Sequence, residues 1–255
     1  MPSDYDGSPS LELSGKDFNY LIRALRLKEG QKIMGRDRNG CLWDLCITHI
    51  GRSSCTLSSR KTESASSRTD ALPESRPLRP IILYQCLPKG RKADDIIKKA
   101  TEAGVRDIVL VRSANCVANL EGKEESRLGR YDALVAEAIQ QSGSLVPTKV
   151  HGVIGIEDIP ADLKARSGGM ETLGLVLHQT RLSEDQSDLM ECLSGFTGCT
   201  ALVVGPEGGL EEEECRILLN GGFRAVLLKT NILRCETASI YAIGAIQTIV
   251  ESSCQ

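Results

Sequence analysis

Beyond residue 80, short runs of aliphatic residues alternate with longer stretches in which apolar and polar residues recur at helical spacing. The apolar runs predict buried strands at 81–87, 107–111, 146–150, 173–178, 200–204 and 225–228. The helical stretches predict helices over 93–103, 124–141 and 237–250. In the last helix one face would carry Ala238, Tyr241, Ala242, Ala245 and Ile249. Buried strands alternating with helices indicate an α/β fold with a mostly parallel sheet covered on both faces.

The first 61 residues follow a different pattern. Their short apolar runs are separated by Gly30, Gly40 and Gly51, which predicts a small β-barrel or sheet, with a helix near 17–27. Residues 62–80 are rich in Ser, Pro and charged residues and are therefore predicted to be a linker. We expect two domains, a small β-domain over 1–75 and an α/β domain over 76–255.

Charge and cysteine usage narrow the class of protein. The net charge of −3 excludes an evenly basic surface for nucleic acid, yet the first 80 residues carry 13 Lys and Arg against 10 Asp and Glu. The ten cysteines form no C-x-x-C pair and only three histidines accompany them, so no zinc site is expected. The N-terminus lacks a signal-peptide pattern and no apolar stretch is long enough for a membrane span. We therefore expect a reduced, cytoplasmic protein without metal or membrane partner.

Three loops after predicted strands carry unusual residues, at 178–180, 205–209 and 229–237. Ligands of open parallel sheets lie beyond the carboxyl ends of the strands. In the second loop, Pro206 stiffens the turn while Gly208 and Gly209 allow a ligand to approach the backbone. An ordinary strand–helix turn before a capped helix is the alternative interpretation.

The character of the ligand follows from what these loops contain and omit. Residues 202–215 include no Lys or Arg, and neither dinucleotide nor P-loop phosphate motif fits. The pattern therefore favours a neutral or cationic small molecule, such as S-adenosylmethionine, over a nucleotide phosphate and disfavours a nucleotide-dependent oxidoreductase. In the third loop Arg234 and Glu236 supply charge, although a surface ion pair beside a helix cap at Thr237 is the alternative interpretation.

Two motifs in this order resemble the ribosomal RNA small subunit methyltransferase E family: GPEGGLEEEE at 205–214 and NILRCETASIYAIGAIQ at 231–247. The segments KGRKADDIIKKATEAGVRDIVLVRSANCV and EAIQQSGSLVP are also similar to it. The resemblance implies a SPOUT-class enzyme that methylates N3 of a uridine in 16S rRNA. It also implies a trefoil-knotted α/β domain that binds S-adenosylmethionine, a preceding PUA-like β-barrel that binds RNA, and a homodimer.

The resemblance also implies roles for individual residues. The cofactor would be bound by Leu177, His178, Gly205, Pro206, Glu207, Gly208, Gly209, Leu228, Ile232, Leu233 and Arg234. From the chemistry of the reaction we assign Arg234 to stabilise the anion that develops on uracil, and Glu236 or Glu207 to orient groups or accept the N3 proton. Candidate phosphate contacts of the 16S rRNA or small ribosomal subunit are Arg23, Arg26, Lys89, Arg91 and Lys92.

Some cationic positions of the family are absent here. Asn231 stands where the family frequently has Arg, and 144–147 contains no basic residue. A non-catalytic RNA-binding or ribosome-assembly protein on the same fold is therefore the alternative function. Methyl transfer to unmodified rRNA distinguishes the two.

Overall fold

The computed structural model describes residues 1, 5–37, 41–62, 79–116, 124–178 and 188–252. The chain divides into two compact units, Met1–Ser75 and Arg76–Gln255, and each is considered by itself. Most of the predicted linker, residues 63–78, lies outside the described residues, as do the loop residues 179–187.

The first unit contains a four-stranded antiparallel sheet. Its strands are β1 (Ser10–Ser14), β2 (Lys32–Arg36), β3 (Leu42–Ile50) and β4 (Ser54–Lys61), in the order β1-β4-β3-β2. Alternate residues such as Leu11, Leu13, Ile47 and Leu57 face one buried core, because side chains of a strand alternate between its two faces. The helix predicted near 17–27 is a short α1 (Gly15–Phe18) that continues as a π-helical turn over Asn19–Ala24.

The second unit is built on a six-stranded sheet in which every neighbouring pair of strands is parallel. Its order is β10-β8-β9-β5-β6-β7. The strands are β5 (Ile81–Cys86), β6 (Asp107–Arg112), β7 (Lys149–Gly155), β8 (Thr172–Leu177), β9 (Cys199–Val204) and β10 (Phe223–Val226). The predicted α/β class with a mostly parallel sheet is confirmed, whereas the trefoil knot stays a prediction.

Helices cover both faces of this sheet. They are α2 (Lys92–Glu102), α3 (Glu124–Ser142), α4 (Ile159–Arg166), α5 (Leu189–Leu193), α6 (Glu212–Asn220) and α7 (Cys235–Ser252), with a 3-10 turn at Ile156–Asp158. One core joins α2, α3, α5 and α7 to residues such as Leu83, and the other joins α4 and α6 to residues such as Tyr84. Burial on both faces explains why the central strands are apolar at nearly every position.

Two strand predictions differ from the structure by two or more residues at their ends. The strand predicted at 146–150 starts at Lys149 and continues to Gly155. Pro147 cannot donate a ladder hydrogen bond, and the two glycines after residue 150 obscure the apolar pattern. The last strand ends at Val226 rather than at residue 228, so that Leu227 and Leu228 belong to the following loop.

The last helix is confirmed, and of its predicted apolar face Ala242 lies in the core while Ala238, Ala245 and Ile249 are partly buried against it. Ser239, Ala242, Ile243 and Ile246 are fully buried, whereas Tyr241 is 52% exposed. Residues 238–249 are small or apolar on nearly all sides, so the periodicity does not determine which side meets the sheet.

Candidate active site

A pocket of about 470 Å³ lies at the carboxyl ends of β8, β9 and β10. Residues 177–178, 204–210, 227–228, 230–235 and 238 line it. These include all eleven residues that were predicted to bind a cofactor. The structure therefore brings the three loops together in one crevice, whose volume is within the range typical of small-molecule sites.

The glycine-rich loop at 205–209 is shaped by tight packing. Gly209 has a φ of +75°, a left-handed conformation that favours glycine, and its N–H donates to the carbonyl of Pro206 at 2.9 Å. The Asn115 side-chain amide donates to the carbonyl of Gly209 at 3.2 Å. A Cβ at Gly208 would lie 3.0 Å from Cβ of Asn115. In the structure, Asn115 is therefore the nearest neighbour that a side chain at 208 would press against.

One glutamate of the acidic run after this loop has a structural role. The carboxylate of Glu214 accepts the backbone N–H of Ala114 at 2.7 Å and that of Glu211 at 2.9 Å. The second bond caps the start of α6, where a negative charge also meets the positive end of the helix dipole. Glu214 thus connects the loop after β6 to the loop that lines the pocket.

Both predicted catalytic carboxylates contact the same lysine. Nζ of Lys92 lies 2.9 Å from Oε1 of Glu207 and 3.3 Å from Oε2 of Glu236. The backbone N–H of Lys89 also donates to the Glu207 carboxylate, at 3.1 Å. The buried thiol of Cys235 donates to Oε2 of Glu236 at 3.3 Å.

These contacts shift the pKa values of the cluster. Partial burial raises the pKa of Glu207, but hydrogen bonds from Lys92 and from backbone N–H groups outweigh it, so the pKa lies below its ordinary value. The pKa of Glu236 is likewise lowered despite burial, by its own backbone N–H, the Cys235 thiol and Lys92. Burial and the bond to Glu236 raise the pKa of Cys235 to about 12. At neutral pH both carboxylates are therefore ionised and the thiol is protonated.

Arg234 lines the pocket with an exposed side chain. Glu236 pairs with Lys92, and among the described residues no side-chain hydrogen bond or ion pair of Arg234 is present. The surface ion pair between Arg234 and Glu236 is thus not formed. Thr237 lies within the first turn of α7 and is not its N-cap, because the helix begins at Cys235.

Family models agree with both units of the chain. The model described as an RNA methyltransferase domain matches residues 74–247, and that of an RNA methyltransferase PUA domain matches residues 13–58. The ribosomal RNA small subunit methyltransferase E of Mycobacterium bovis is 30% identical over 222 residues, which cover 87% of this chain and 79% of that protein. The chain belongs to the ribosomal RNA small subunit methyltransferase E family. The Bacillus subtilis protein of the same name is 27% identical over 94% of this chain and 90% of its own length.

Solved structures agree with this family assignment. The ribosomal RNA small subunit methyltransferase E of Neisseria gonorrhoeae, crystallised with S-adenosyl methionine, matches with a TM-score of 0.73 and 25% identity, covering 98% of this chain and 95% of that one. A putative methyltransferase of Legionella pneumophila with the same cofactor shares the fold, with a TM-score of 0.74 at 21% identity over 97% of this chain and 95% of that one. The family and the PUA-like domain predicted from the sequence are confirmed.

The five cations predicted to contact RNA lie in different surroundings. Arg23 and Arg26 are exposed in the first unit, while Lys89 and Arg91 are exposed just before α2 in the second. Lys92 is half-buried and forms ion pairs with Glu207 and Glu236.

Within the described residues, no group of three or more His, Cys, Asp or Glu side chains is arranged to hold a metal ion, and no helix is long and apolar enough to cross a membrane.

Two buried polar residues beneath the pocket, Gln85 and Ser239, were not identified from the sequence. The side-chain amide of Gln85 donates to the carbonyls of Cys86 at 3.0 Å and Val204 at 3.5 Å, and its oxygen accepts from the Ser239 hydroxyl. The pair joins the ends of β5 and β9 to the first turns of α7. A single polar residue inside the apolar run 81–87 is the signal that would have revealed it.

Replacing Gln85 with leucine should lower the free energy of unfolding by about 1–3 kcal/mol, because buried carbonyl groups lose their donor while the volume hardly changes. Urea denaturation followed by circular dichroism measures this difference. Ser239→Ala is the comparison. We expect it to lower the free energy of unfolding by less, because it removes the polar hydroxyl itself and so leaves fewer buried groups without a partner. Unchanged stability of Gln85→Leu would show that this hydrogen bond contributes nothing net.

Proposed function

We propose that this protein uses S-adenosylmethionine to methylate N3 of a uridine in 16S rRNA of the small ribosomal subunit. The observation that carries the proposal is the single pocket in which all eleven residues predicted to bind the cofactor meet. Membership of the ribosomal RNA small subunit methyltransferase E family supports the choice of substrate.

The residues present fit S-adenosylmethionine. Arg234 is the only Lys or Arg among the described residues that line the pocket, so the pocket offers no cluster of cations for phosphates. Leu177, Leu228 and Ile232 provide apolar surface for the adenosine, and the loop 205–209 provides backbone groups for its polar edges. The ionised carboxylate of Glu207 suits a ligand that carries a positive charge.

Bound S-adenosylmethionine supplies an electrophilic methyl group on its sulfonium. N3 of uracil carries a proton, and its loss leaves an anion shared between N3 and the two carbonyl oxygens. We assign Arg234 to stabilise this anion, because its guanidinium is exposed at the pocket. Glu207 and Glu236 are weak bases because their pKa values are lowered. We therefore assign them to orienting groups in the pocket and assign acceptance of the N3 proton to solvent.

Methyl transfer to unmodified 16S rRNA tests the proposal. Small subunits and free 16S rRNA from cells that lack the protein are incubated with S-adenosylmethionine, and modified nucleosides are mapped by mass spectrometry. We expect one N3-methyluridine per 16S rRNA with the wild-type protein. RNA binding without any methyl transfer would instead support the alternative of a non-catalytic assembly protein.

The rRNA substrate implies further partners and a location. We propose that Arg23, Arg26, Lys89 and Arg91 contact phosphates, because all four are exposed cations. Because the proposed substrate is rRNA of the small ribosomal subunit, we also propose that the protein acts in the cytoplasm.

We further propose a homodimer formed through the α/β unit. Two large side chains on neighbouring helices are exposed: Met190 is 64% exposed and Tyr241 52%. α5, which carries Met190, packs against α7, which carries Tyr241. Their exposure is explained if a second copy covers them in a symmetric interface.

The dimer predicts a particular effect of Tyr241→Glu. Light scattering at micromolar concentration should give twice the chain mass for the wild type and a shift toward the monomer for the variant, because the charge would be buried against a second copy. Leu145→Glu, at a similarly exposed position after α3, is the control and should remain dimeric. A monomeric wild type would refute the proposal.

A further inference from the structure

Lys92 is the point at which three separate segments meet. It is the first residue of α2, Glu207 belongs to the loop after β9, and Glu236 is the second residue of α7. The three side chains are each about a quarter exposed, and a single ammonium contacts both carboxylates, at 2.9 and 3.3 Å.

We propose that Lys92 is a positioning residue of the cofactor pocket, whose ammonium holds Glu207 and Glu236 together and so fixes the loop 205–209 against the start of α7. This inference rests on the proposed function, since it takes the pocket to be the cofactor site. It assigns Lys92 to the pocket instead of to the RNA.

The charge of the cluster argues against a phosphate contact. Two carboxylates and one ammonium carry a net charge of −1, which repels a phosphate. Two of the three N–H donors of the ammonium are already used. The neighbouring Lys89 and Arg91 are exposed, so they suit the RNA better.

The geometry also indicates the effect of removing the lysine. Both carboxylates contact the same nitrogen, so without the ammonium they would face each other with like charges. This repulsion disfavours the observed position of the loop 205–209 against the start of α7. Of the two carboxylates, the backbone N–H of Lys89 donates only to Glu207, and the Cys235 thiol donates only to Glu236. Among the groups that contact these carboxylates, Lys92 is therefore the one that bridges the loop 205–209 and the start of α7.

The test measures S-adenosylhomocysteine affinity by calorimetry at pH 7.5 for Lys92→Met and Lys92→Arg. The methionine keeps the length of the side chain and removes the charge, and we expect a tenfold or greater loss of affinity. The arginine keeps the charge, and we expect a change of less than about threefold. Equal affinity of the wild type and Lys92→Met would overturn the inference.

RNA binding distinguishes a role of Lys92 in the pocket from a contact between Lys92 and an RNA phosphate. We expect Lys92→Met to leave the salt dependence of binding to a 16S rRNA fragment unchanged, whereas Arg91→Met should reduce the slope by about one. A reduced slope for Lys92→Met with unchanged S-adenosylhomocysteine affinity would make Lys92 a phosphate contact. Failure of the wild type to bind S-adenosylhomocysteine would instead refute the proposed function, so the two failures are distinguishable.

The pH profile separates electrostatic positioning from general structural damage. In the wild type the pKa values of both carboxylates lie below the ordinary 4.5, so both are ionised beside the Lys92 ammonium throughout this pH range. In Lys92→Met, protonation of Glu207 or Glu236 relieves their repulsion, so affinity should recover as the pH falls from 7.5 to 5.5. Cys235, His178 and Arg234, the other ionisable groups of this site, are the same in both proteins. An identical profile in both would contradict the inference.

A second substitution keeps the test valid if Lys92→Met unfolds. Glu236→Gln in the Lys92→Met background removes one of the two repelling charges, and we expect it to restore folding and at least part of the affinity. The double variant also isolates the coupling between the two residues. An affinity no better than that of Lys92→Met would contradict the inference.

Discussion

Arg234→Ala is expected to lower the single-turnover rate of methyl transfer by about 100- to 1,000-fold while S-adenosylhomocysteine affinity changes little. Arg234 lines the pocket, and its exposed guanidinium is available to a substrate. A positive group directed at a developing anion acts mainly in the transition state, so its loss affects the rate more than ground-state binding. Rapid-quench assays with excess enzyme measure the rate, and calorimetry measures the affinity.

Two further variants define the effect of Arg234. Arg234→Lys retains the charge without the planar fork and should recover part of the rate. Lys229→Ala removes another exposed cation of the same loop, one whose ion pair with Asp188 lies at the surface, and should change neither quantity. A normal rate for Arg234→Ala would remove this residue from catalysis, and a collapsed affinity would make it a binding residue.

Gly208→Val should weaken S-adenosylhomocysteine binding by about 10- to 100-fold, which corresponds to the 1–3 kcal/mol that overpacking commonly costs. The added Cβ would lie 3.0 Å from Cβ of Asn115, which is tighter than an ordinary contact, so Asn115 or the loop that lines the pocket has to shift by a few tenths of an ångström. Gly152→Val is the control, because a Cβ at Gly152 meets no atom within 4 Å and the residue lies outside the pocket. Wild-type affinity for Gly208→Val would show that this loop does not shape the site.

A double variant distinguishes the two reasons for glycine at 208. Asn115→Gly removes the atom that a side chain at 208 would meet. If packing within the protein is the reason, as we expect, Gly208→Val combined with Asn115→Gly should regain part of the affinity. If close approach of the cofactor is the reason, as the sequence suggested, the double variant should bind as weakly as Gly208→Val.

The sequence by itself determined the class of the fold and the place of the pocket. Strands buried on both faces must be apolar at successive positions, so the runs around Leu83 and Leu202 are visible without any tertiary information. Ligand loops of parallel sheets follow the strands, and the glycines at 208 and 209 mark one of them. The two motifs in order were enough to indicate the family.

Only the tertiary structure decided how these loops are held together. β5 and β9 lie more than a hundred residues apart in the chain, yet they are neighbours in the sheet, with Gln85 opposite Val204. This pairing brings the segment that carries Lys92 beside Glu207. The hydrophobic pattern specifies that a strand is buried, but not which strand lies next to it. The contacts of Lys92, Gln85 and Asn115 depend on that order of strands and therefore could not be predicted from local sequence.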